Sequence, residues 1–218
     1  MPKRIGGGVI SGVSEMVMKS SVAIAAVWIC TWPLAATAES VGSASAIKPA
    51  ATQTAPQGTK TDLRLKDPII RKAELVTADK GALEVTFVDG SKLTMGQNSK
   101  LTVDEYVYTG PGSPGKQSIR YTKGLFRFVS GSIPKKDVKI ETPTVSIGIR
   151  GTILRTAIGD DNAGAVSVEF GPNREVYEVV VTSKETGRSV VLRSGQKIGF
   201  DIHGVFEGIV DGQVEGCE

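Results

Sequence analysis

The side chains of this sequence that could carry out acid–base chemistry are few and scattered. Two pairs of adjacent carboxylates, Asp104-Glu105 and Asp160-Asp161, could in principle act at a glycosidic bond. Adjacent residues of a strand point to opposite faces, however, so neither pair forms a catalytic dyad by itself. His203 is the sole histidine, and no cysteine or serine accompanies it in a recognisable nucleophile setting. We therefore expect solvated turns, a surface loop histidine and no catalytic residue.

Metal, cofactor and nucleic-acid sites are not indicated either. Asp160-Asp161-Asn162 offers oxygen ligands but lacks the spaced acidic pattern and distal glutamate of a calcium loop. One histidine and two cysteines argue against a zinc site built from several His and Cys ligands, and against a disulfide scaffold. The net charge of +3 is too small for the electrostatic footprint of a nucleic-acid binder. We expect no metal, no cofactor and no nucleic-acid partner.

The elements that must position these residues are short β-strands. Leu83, Val85 and Phe87 alternate with polar residues, and Asp89-Gly90 follows at once, which is the dipeptide of a two-residue hairpin. Similar segments, separated by glycine, proline or asparagine, continue to residue 202. The 26 glycines are too many for a protein of long helices. The pattern predicts an all-β domain of short, stacked antiparallel strands, either solenoid-like or sandwich-like.

The first 38 residues have the composition of an export signal. Lys19 precedes an apolar run over residues 22–34, and Ala36-Thr37-Ala38 is a small-x-small site that a signal peptidase accepts. The run is shorter than the roughly 20 residues that a membrane-spanning helix needs. We expect cleavage after Ala38, contact with the membrane only in transit, and a periplasmic or secreted product. The start codon stays open between Met1, Met16 and Met18.

Composition divides the remaining chain into three parts. Residues 39–67 are rich in Ala, Ser, Thr and Pro, so we predict a disordered spacer. The alternating pattern fills residues 68–205. Residues 206–218 are expected to form a C-terminal tail, in which Cys217 is a free thiol at a frayed end or an intermolecular bridge.

Three segments, taken in order, resemble the FecR-like domain family. The first runs over residues 85–95 and contains the turn Asp89-Gly90-Ser91. The second combines residues 125–129 with residues 138–140. The third and most specific, residues 141–152, reads E-T-P-T-V-S-I-G-I-R-G-T and is similar to the family signature T-P-x-a-x-x-G-[VI]-R-G-T. The resemblance spans residues 80–200.

The third segment also has a physical interpretation of its own. Thr142-Pro143 imposes an extended entry and withdraws one backbone donor. Three apolar side chains then recur at every second position and face one side: Val145, Ile147 and Ile149.

The remaining signature residues are two glycines, an arginine and a threonine. Gly148 and Gly151 permit a close backbone approach or a bulge. Arg150 projects to the side opposite the apolar residues. There we expect it to order loop carbonyls, to pair with a carboxylate such as Glu141, or to contact a ligand or partner.

The resemblance implies an extracytoplasmic module, which in the best-known members follows a cytoplasmic anti-sigma segment and a membrane helix and relays a signal from an outer-membrane receptor. At most 21 residues precede the apolar run here, which we expect to be too few for such a segment, so we do not carry over control of a sigma factor. We expect a free-standing, non-enzymatic binding or sensing module whose partner is an envelope protein or, second, a cell-wall or surface polysaccharide. The residues assigned to partner binding are Thr142, Pro143, Gly148, Arg150, Gly151 and Thr152, with Asp89, Gly90 and Ser91 as the turn motif.

Two alternatives stay open. One is a hydrolase of envelope polysaccharide or peptidoglycan, which would need carboxylates that converge from distant parts of the chain. The other is a signalling regulator anchored by an uncleaved N-terminal helix.

Overall fold

A computed structural model describes residues 39–134 and 137–216, and of Arg150 only the backbone. The predicted signal peptide, residues 1–38, and Cys217 lie outside the described residues. Within the described ranges, no helix has the length and apolar character required to cross a membrane.

The described residues fold almost entirely into strands, which confirms the all-β prediction. In chain order the strands are β1 (Ser40–Lys48), β2 (Ala51–Thr54), β3 (Lys60–Asp62), β4 (Pro68–Ile70), β5 (Glu74–Thr77), β6 (Ala82–Phe87), β7 (Lys92–Met95), β8 (Lys100–Val107), β9 (Lys116–Val129), β10 (Val138–Glu141), β11 (Val145–Arg150), β12 (Ile153–Ile158), β13 (Gly164–Glu169), β14 (Glu178–Ser183), β15 (Ser189–Arg193), β16 (Gln196–Phe200) and β17 (Val210–Asp211). A 3₁₀ turn, Pro172–Arg174, lies between β13 and β14.

The strands form two sheets that are joined through the long strand β9. Sheet A has the order β4-β1-β6-β7-β9-β12-β13-β16-β17. Sheet B has the order β3-β2-β5-β8-β9-β10-β11-β14-β15. Residues 116–123 of β9 pair in sheet B, and residues 124–129 pair in sheet A. Only the pairing of β9 with β10 is parallel within the described chain.

Inward-facing side chains of both sheets form one hydrophobic core. In sheet A, Leu83, Val85 and Phe87 are buried while the residues between them are partly exposed. In sheet B, Leu101 and Val103 of β8 are buried in the same alternation. The period of two that the sequence shows therefore sorts each strand into a core face and an outer face. This is the sandwich-like form of the predicted architecture.

The prediction of a disordered spacer over residues 39–67 is wrong. β1 is hydrogen-bonded between β4 and β6, and β2 lies between β3 and β5. Small side chains make this possible, because Ala44 is fully buried and Gly42 lies so near Thr86 that a Cβ would come within 2.5 Å of its carbonyl oxygen. Strands that pair on both sides satisfy their backbone groups and need few large apolar residues. A composition rule that counts large apolar residues therefore underestimates their order.

The described part of the predicted C-terminal tail is also ordered. β17 pairs with β16, and Val214 is buried, with its backbone N–H donating to Ser167 Oγ at 2.9 Å. Gln213 Nε2 donates to the carbonyl of Val168 at 3.1 Å. Gln213 and Val214 thus lie against β13 of sheet A and belong to the folded domain.

Candidate interaction surface

The signature segment forms β11 and the corner at which the chain leaves sheet B for sheet A. Val145, Ile147 and Ile149 are buried, as the alternation predicts. Gly151 has φ +74°, a left-handed conformation that glycine adopts without strain, and β12 of sheet A follows. Thr152 is buried, and its N–H donates to Ser130 Oγ at 3.2 Å. Gly151 and Thr152 therefore shape the corner between the sheets.

Thr142 and Pro143 make the turn between β10 and β11. The buried Thr142 Oγ1 accepts a hydrogen bond from Val145 N–H at 2.9 Å and donates to the Val145 carbonyl at 3.0 Å. Lys184 Nζ donates to the Thr142 carbonyl at 2.5 Å. Pro143 is exposed at the tip of this turn. Of Thr142 and Pro143, only Pro143 is exposed and available to a partner.

Glu141 is held by two lysines beside this turn. Its carboxylate accepts from Lys139 Nζ and, at 2.8 Å, from Lys184 Nζ. Burial by itself would raise the pKa of Glu141, but the hydrogen bonds from the two lysines outweigh it and lower this pKa below its ordinary value. The backbone of Arg150 pairs in register with Glu178, at the opposite end of β11. The carboxylate that we expected for Arg150 is thus already occupied by lysines.

Gly148 occupies an outward position in the middle of sheet B. The register places it in a row that crosses the sheet from Lys139 through Gly148 and Val180 to Val191. A Cβ on Gly148 would meet only the Val180 carbonyl oxygen, at 3.9 Å, which is an ordinary van der Waals contact. The expected close backbone approach at Gly148 is therefore not made by the described chain. Because Gly148 has no side chain, the space above it on the outer face of sheet B is unfilled by the described chain.

Two depressions of about 400 and 460 Å³ lie on this outer face and share Glu105 and Ser118 as lining residues. Lys139 and Glu141 line the first depression, and Arg120 lines the second. Both signs of charge are present throughout. We refer to these two depressions together with Gly148 as the sheet B surface.

The carboxylates Asp104 and Glu105 line the same depression, contrary to the expectation that they face opposite sides. β8 has a bulge between Val103 and Glu105, and a bulge interrupts the alternation of side chains. Each carboxylate is engaged by a cation: Asp104 by Arg120 and Glu105 by Lys116, both at 2.8 Å.

The other candidates for acid–base chemistry lie at exposed turns. Asp160 pairs with Lys123 at 2.8 Å, and Asp161 Oδ1 accepts from the backbone N–H of Ala163 at 3.1 Å. The exposed His203 ring is 3.3 Å from Glu185. No group of three or more His, Cys, Asp or Glu side chains suited to a metal ion occurs among the residues that the structure describes.

In the turn motif Asp89-Gly90-Ser91, Asp89 and Ser91 are buried and hydrogen-bonded, whereas Gly90 is exposed. Phe87 N–H bonds the Ser91 carbonyl and Gly90 N–H bonds the Phe87 carbonyl, so the loop has three residues rather than the predicted two. Gly90 has φ +82°, as the bulge of such a loop requires. Asp89 Oδ1 accepts from Ser91 Oγ at 2.6 Å and from the Tyr106 hydroxyl at 2.9 Å. Burial first, and then the charge of Asp89, raise the pKa of Tyr106.

A partly buried cluster of charged side chains on sheet A was not predicted from the sequence. Glu169 accepts two parallel hydrogen bonds from Arg127, each 2.9 Å long, and a further one from Arg155 Nε. Burial would raise the pKa of Glu169, but the two guanidinium groups lower it below its ordinary value. Arg127 and Glu169 are 42 positions apart, and nothing in the local pattern pairs them.

One solved structure and one family model are similar to parts of this chain. A crystal structure of a candidate anti-sigma factor from Parabacteroides distasonis has a TM-score of 0.47 and 17% sequence identity, over 63% of this chain and 59% of that one. This chain thus spans less than two thirds of that protein. No curated protein sequence matches the chain. The family model described as FecR protein matches residues 73–172, which include both the turn motif and the signature corner. Residues 73–172 of this chain are a FecR domain.

Proposed function

We propose that the chain is an exported, non-enzymatic binding and sensing module that contacts another envelope protein through the sheet B surface. The FecR domain supports a regulatory role rather than an enzymatic one. The engagement of Asp104 and Glu105 by cations, and the exposure of His203, also favour binding over catalysis.

The observation that carries the proposal is the open position at Gly148. A glycine inside a strand weakens it and commonly marks a place where a ligand or another backbone comes close. Here no part of the described chain comes close, because a Cβ would meet one atom at 3.9 Å. The cost of a glycine at the centre of sheet B is then explained by an external partner. Mixed charges around the position, such as Lys139 and Glu141, suit the polar rim of a protein interface.

Cleavage after Ala38 is compatible with the contacts of the first described residues. β1 begins at Ser40, and Glu39 pairs with Arg71 at 2.9 Å, so cleavage after Ala38 would leave the folded domain intact. The intact mass of the protein from the periplasm or medium should correspond to a chain that begins at Glu39. A membrane-bound product that retains residues 1–38 would favour the anchored regulator instead.

Site-specific photocrosslinking in living cells tests the binding role. A photoreactive residue at Ser146, which lies beside Gly148 on the outer face, should crosslink one envelope protein that mass spectrometry identifies. The matched control places the same residue at Thr86, on the outer face of sheet A, and should give no such product. Equal labelling from both positions, or no protein adduct from Ser146, would contradict the proposal.

A polysaccharide is the second candidate partner, because the bulge in β8 brings Asp104 and Glu105 to one depression. We expect no cleavage of purified peptidoglycan or surface polysaccharide by the mature chain. Measurable cleavage that the pair Asp104→Asn and Glu105→Gln abolishes would establish the hydrolase alternative.

A further inference from the structure

β15 differs from the other strands that end the two sheets. An edge strand presents unpaired backbone groups, and proteins usually blunt such edges by shortness, proline or charge. β3 and β4 have three residues each, β17 has two, and β4 begins with Pro68. β15 has five residues, with three apolar ones in the middle and no proline. In the part of the chain that the structure describes, β15 pairs with β14 alone.

The hydrogen-bond register shows which backbone groups of β15 are free. Ser183 N–H bonds the Arg188 carbonyl, and Ser194 N–H bonds the Tyr177 carbonyl. Hydrogen-bonded pairs recur at every second residue of an antiparallel ladder, so the residues between them turn their N–H and C=O groups away from β14. These residues are Ser189, Val191 and Arg193. Gln196 Oε1 already accepts from Arg193 N–H at 2.9 Å, which leaves Ser189 and Val191 as the donors on the free edge.

The side chains of the same three residues lie on the outer face, and β14 shows what complements them. Opposite Arg193 stands Glu178, with an ion pair of 2.8 Å. Val180 lies opposite Val191, and Thr182 lies opposite Ser189. The hydroxyl oxygens of Thr182 and Ser189 are 2.9 Å apart. The Val191 residue remains 49% exposed and the Arg193 side chain 67% exposed. A strand on the free side would find the same row of partners.

We propose that β15 is a recognition edge that takes up an extended strand of a partner protein and adds a tenth strand to sheet B. The matching segment runs antiparallel and carries an acidic residue, three β-branched residues and a threonine, in that order. The acidic residue then meets Arg193, the central residue meets Val191, and the threonine meets Ser189. Main-chain hydrogen bonds supply the affinity and these side chains the selectivity.

A second copy of this chain fits the edge less well. Antiparallel pairing of two β15 strands about Val191 would place each Arg193 opposite Ser189 of the other copy, where no carboxylate meets the guanidinium. Charge complementarity therefore favours a partner with an acidic residue. This inference rests on the proposed binding function and names how the partner attaches.

The test uses the mature chain and a fluorescent peptide that contains Glu-Val-Val-Val-Thr between soluble acidic flanks, with fluorescence anisotropy as the readout. N-methylation of the third core residue, whose N–H would face Val191, should weaken binding at least about tenfold, because a backbone hydrogen bond is lost. N-methylation of the second core residue, whose N–H faces away, should change it less than twofold. Replacement of the glutamate by lysine should also weaken binding.

Two variants of the protein complete the test. Val191→Pro removes the edge N–H and should abolish peptide binding, whereas Val191→Thr keeps it and should bind as the wild type does. Melting curves of both variants check that they are folded. If Val191→Pro does not fold, the N-methylated peptides alone decide.

Four results overturn the inference. They are no anisotropy change with the unmodified peptide, equal loss from both N-methylated peptides, equal binding by folded Val191→Pro, and a concentration-dependent dimer that Val191→Pro abolishes. If the edge fails while Ser146 still crosslinks its envelope partner, the proposed function stands without this mode of attachment. If the peptide binds while Ser146 gives no adduct, the sheet B surface is the part that fails.

Discussion

Gly148 and Gly151 lie three positions apart in one motif, yet we expect alanine to change the stability in opposite directions. At Gly148 the backbone is in a strand and a Cβ has room, with its nearest neighbour at 3.9 Å. Alanine there restricts the unfolded chain at little cost to the folded one, so Gly148→Ala should stabilise by about 0.5–1 kcal/mol. At Gly151 the φ of +74° costs an alanine about 1–2 kcal/mol. After the same entropic gain, Gly151→Ala should destabilise by about 1 kcal/mol, and Gly151→Val by more because it is β-branched.

Urea unfolding of the mature chain measures both effects on one scale. The slope m should be the same for the wild type and the variants, so that shifts of the midpoint report stability alone. In thermal unfolding, a change of 1 kcal/mol corresponds to about 2–4 °C for a domain of this size. The midpoints should therefore separate on either side of the wild type. The proposed function adds a second expectation: Gly148→Leu should stay folded but lose the Ser146 crosslink.

A Gly151→Ala variant that melts with or above the wild type would contradict the strain expected at this position, because residue 151 would then hold an ordinary strand conformation. A destabilised Gly148→Ala variant would contradict the open space expected there, because something must then pack on Gly148 in the free protein. A stabilised Gly148→Leu that keeps its partner would leave the fold argument intact and remove the function assigned to this position.

Two further substitutions test the packing of the turn motif and the ion pairs of Glu169. A Cβ on Gly131 would come within 2.4 Å of the Ser91 nitrogen and 2.5 Å of the Asp89 carbonyl oxygen. Gly131→Ala should therefore destabilise the folded protein by about 1–3 kcal/mol, measured by urea unfolding. An unchanged urea midpoint would mean that the turn is not packed as described. Glu169→Gln should destabilise at neutral pH by about 1–2 kcal/mol, because it weakens charged hydrogen bonds with two arginines. The folded pKa of Glu169 is lowered, so its contribution is complete above the unfolded pKa of roughly 4.3 and is lost as the pH falls through the folded pKa. The stability difference between the two proteins should therefore shrink as the pH falls below the unfolded pKa, and a constant difference down to pH 2 would assign the effect to packing.

What the sequence predicts well is local in origin. The alternation of Val145, Ile147 and Ile149 sets their burial because a strand turns successive side chains to opposite faces whatever its neighbours are. The same rule failed at Asp104 and Glu105, where a bulge interrupts it. A bulge depends on the pairing of β8 with β9, which the residues of β8 alone do not specify.

Contacts between distant strands could not be predicted from the sequence. Lys184 reaches Thr142 across 42 positions, and Arg127 reaches Glu169 across the same separation. Both contacts follow from register, and register follows from which strands pair. The order of residues 39–67 was missed for a related reason: Ala44 contributes little apolar surface by itself and becomes part of the core only because β1 pairs on both sides.

Four of the signature residues fall into two pairs, one whose role the fold explains and one whose role it does not. Thr142 fixes its turn by three hydrogen bonds to Thr144 and Val145, and Gly151 supplies a left-handed corner, so the fold alone accounts for both. The fold does not explain Pro143 or Gly148. Pro143 is exposed at a turn tip, and Gly148 leaves space unfilled. Substitutions in the first pair should change stability and binding together, whereas substitutions in the second pair should change binding without loss of stability. That separation would support the recognition role that we propose for the outer face of sheet B, which also carries the row that ends at Val191.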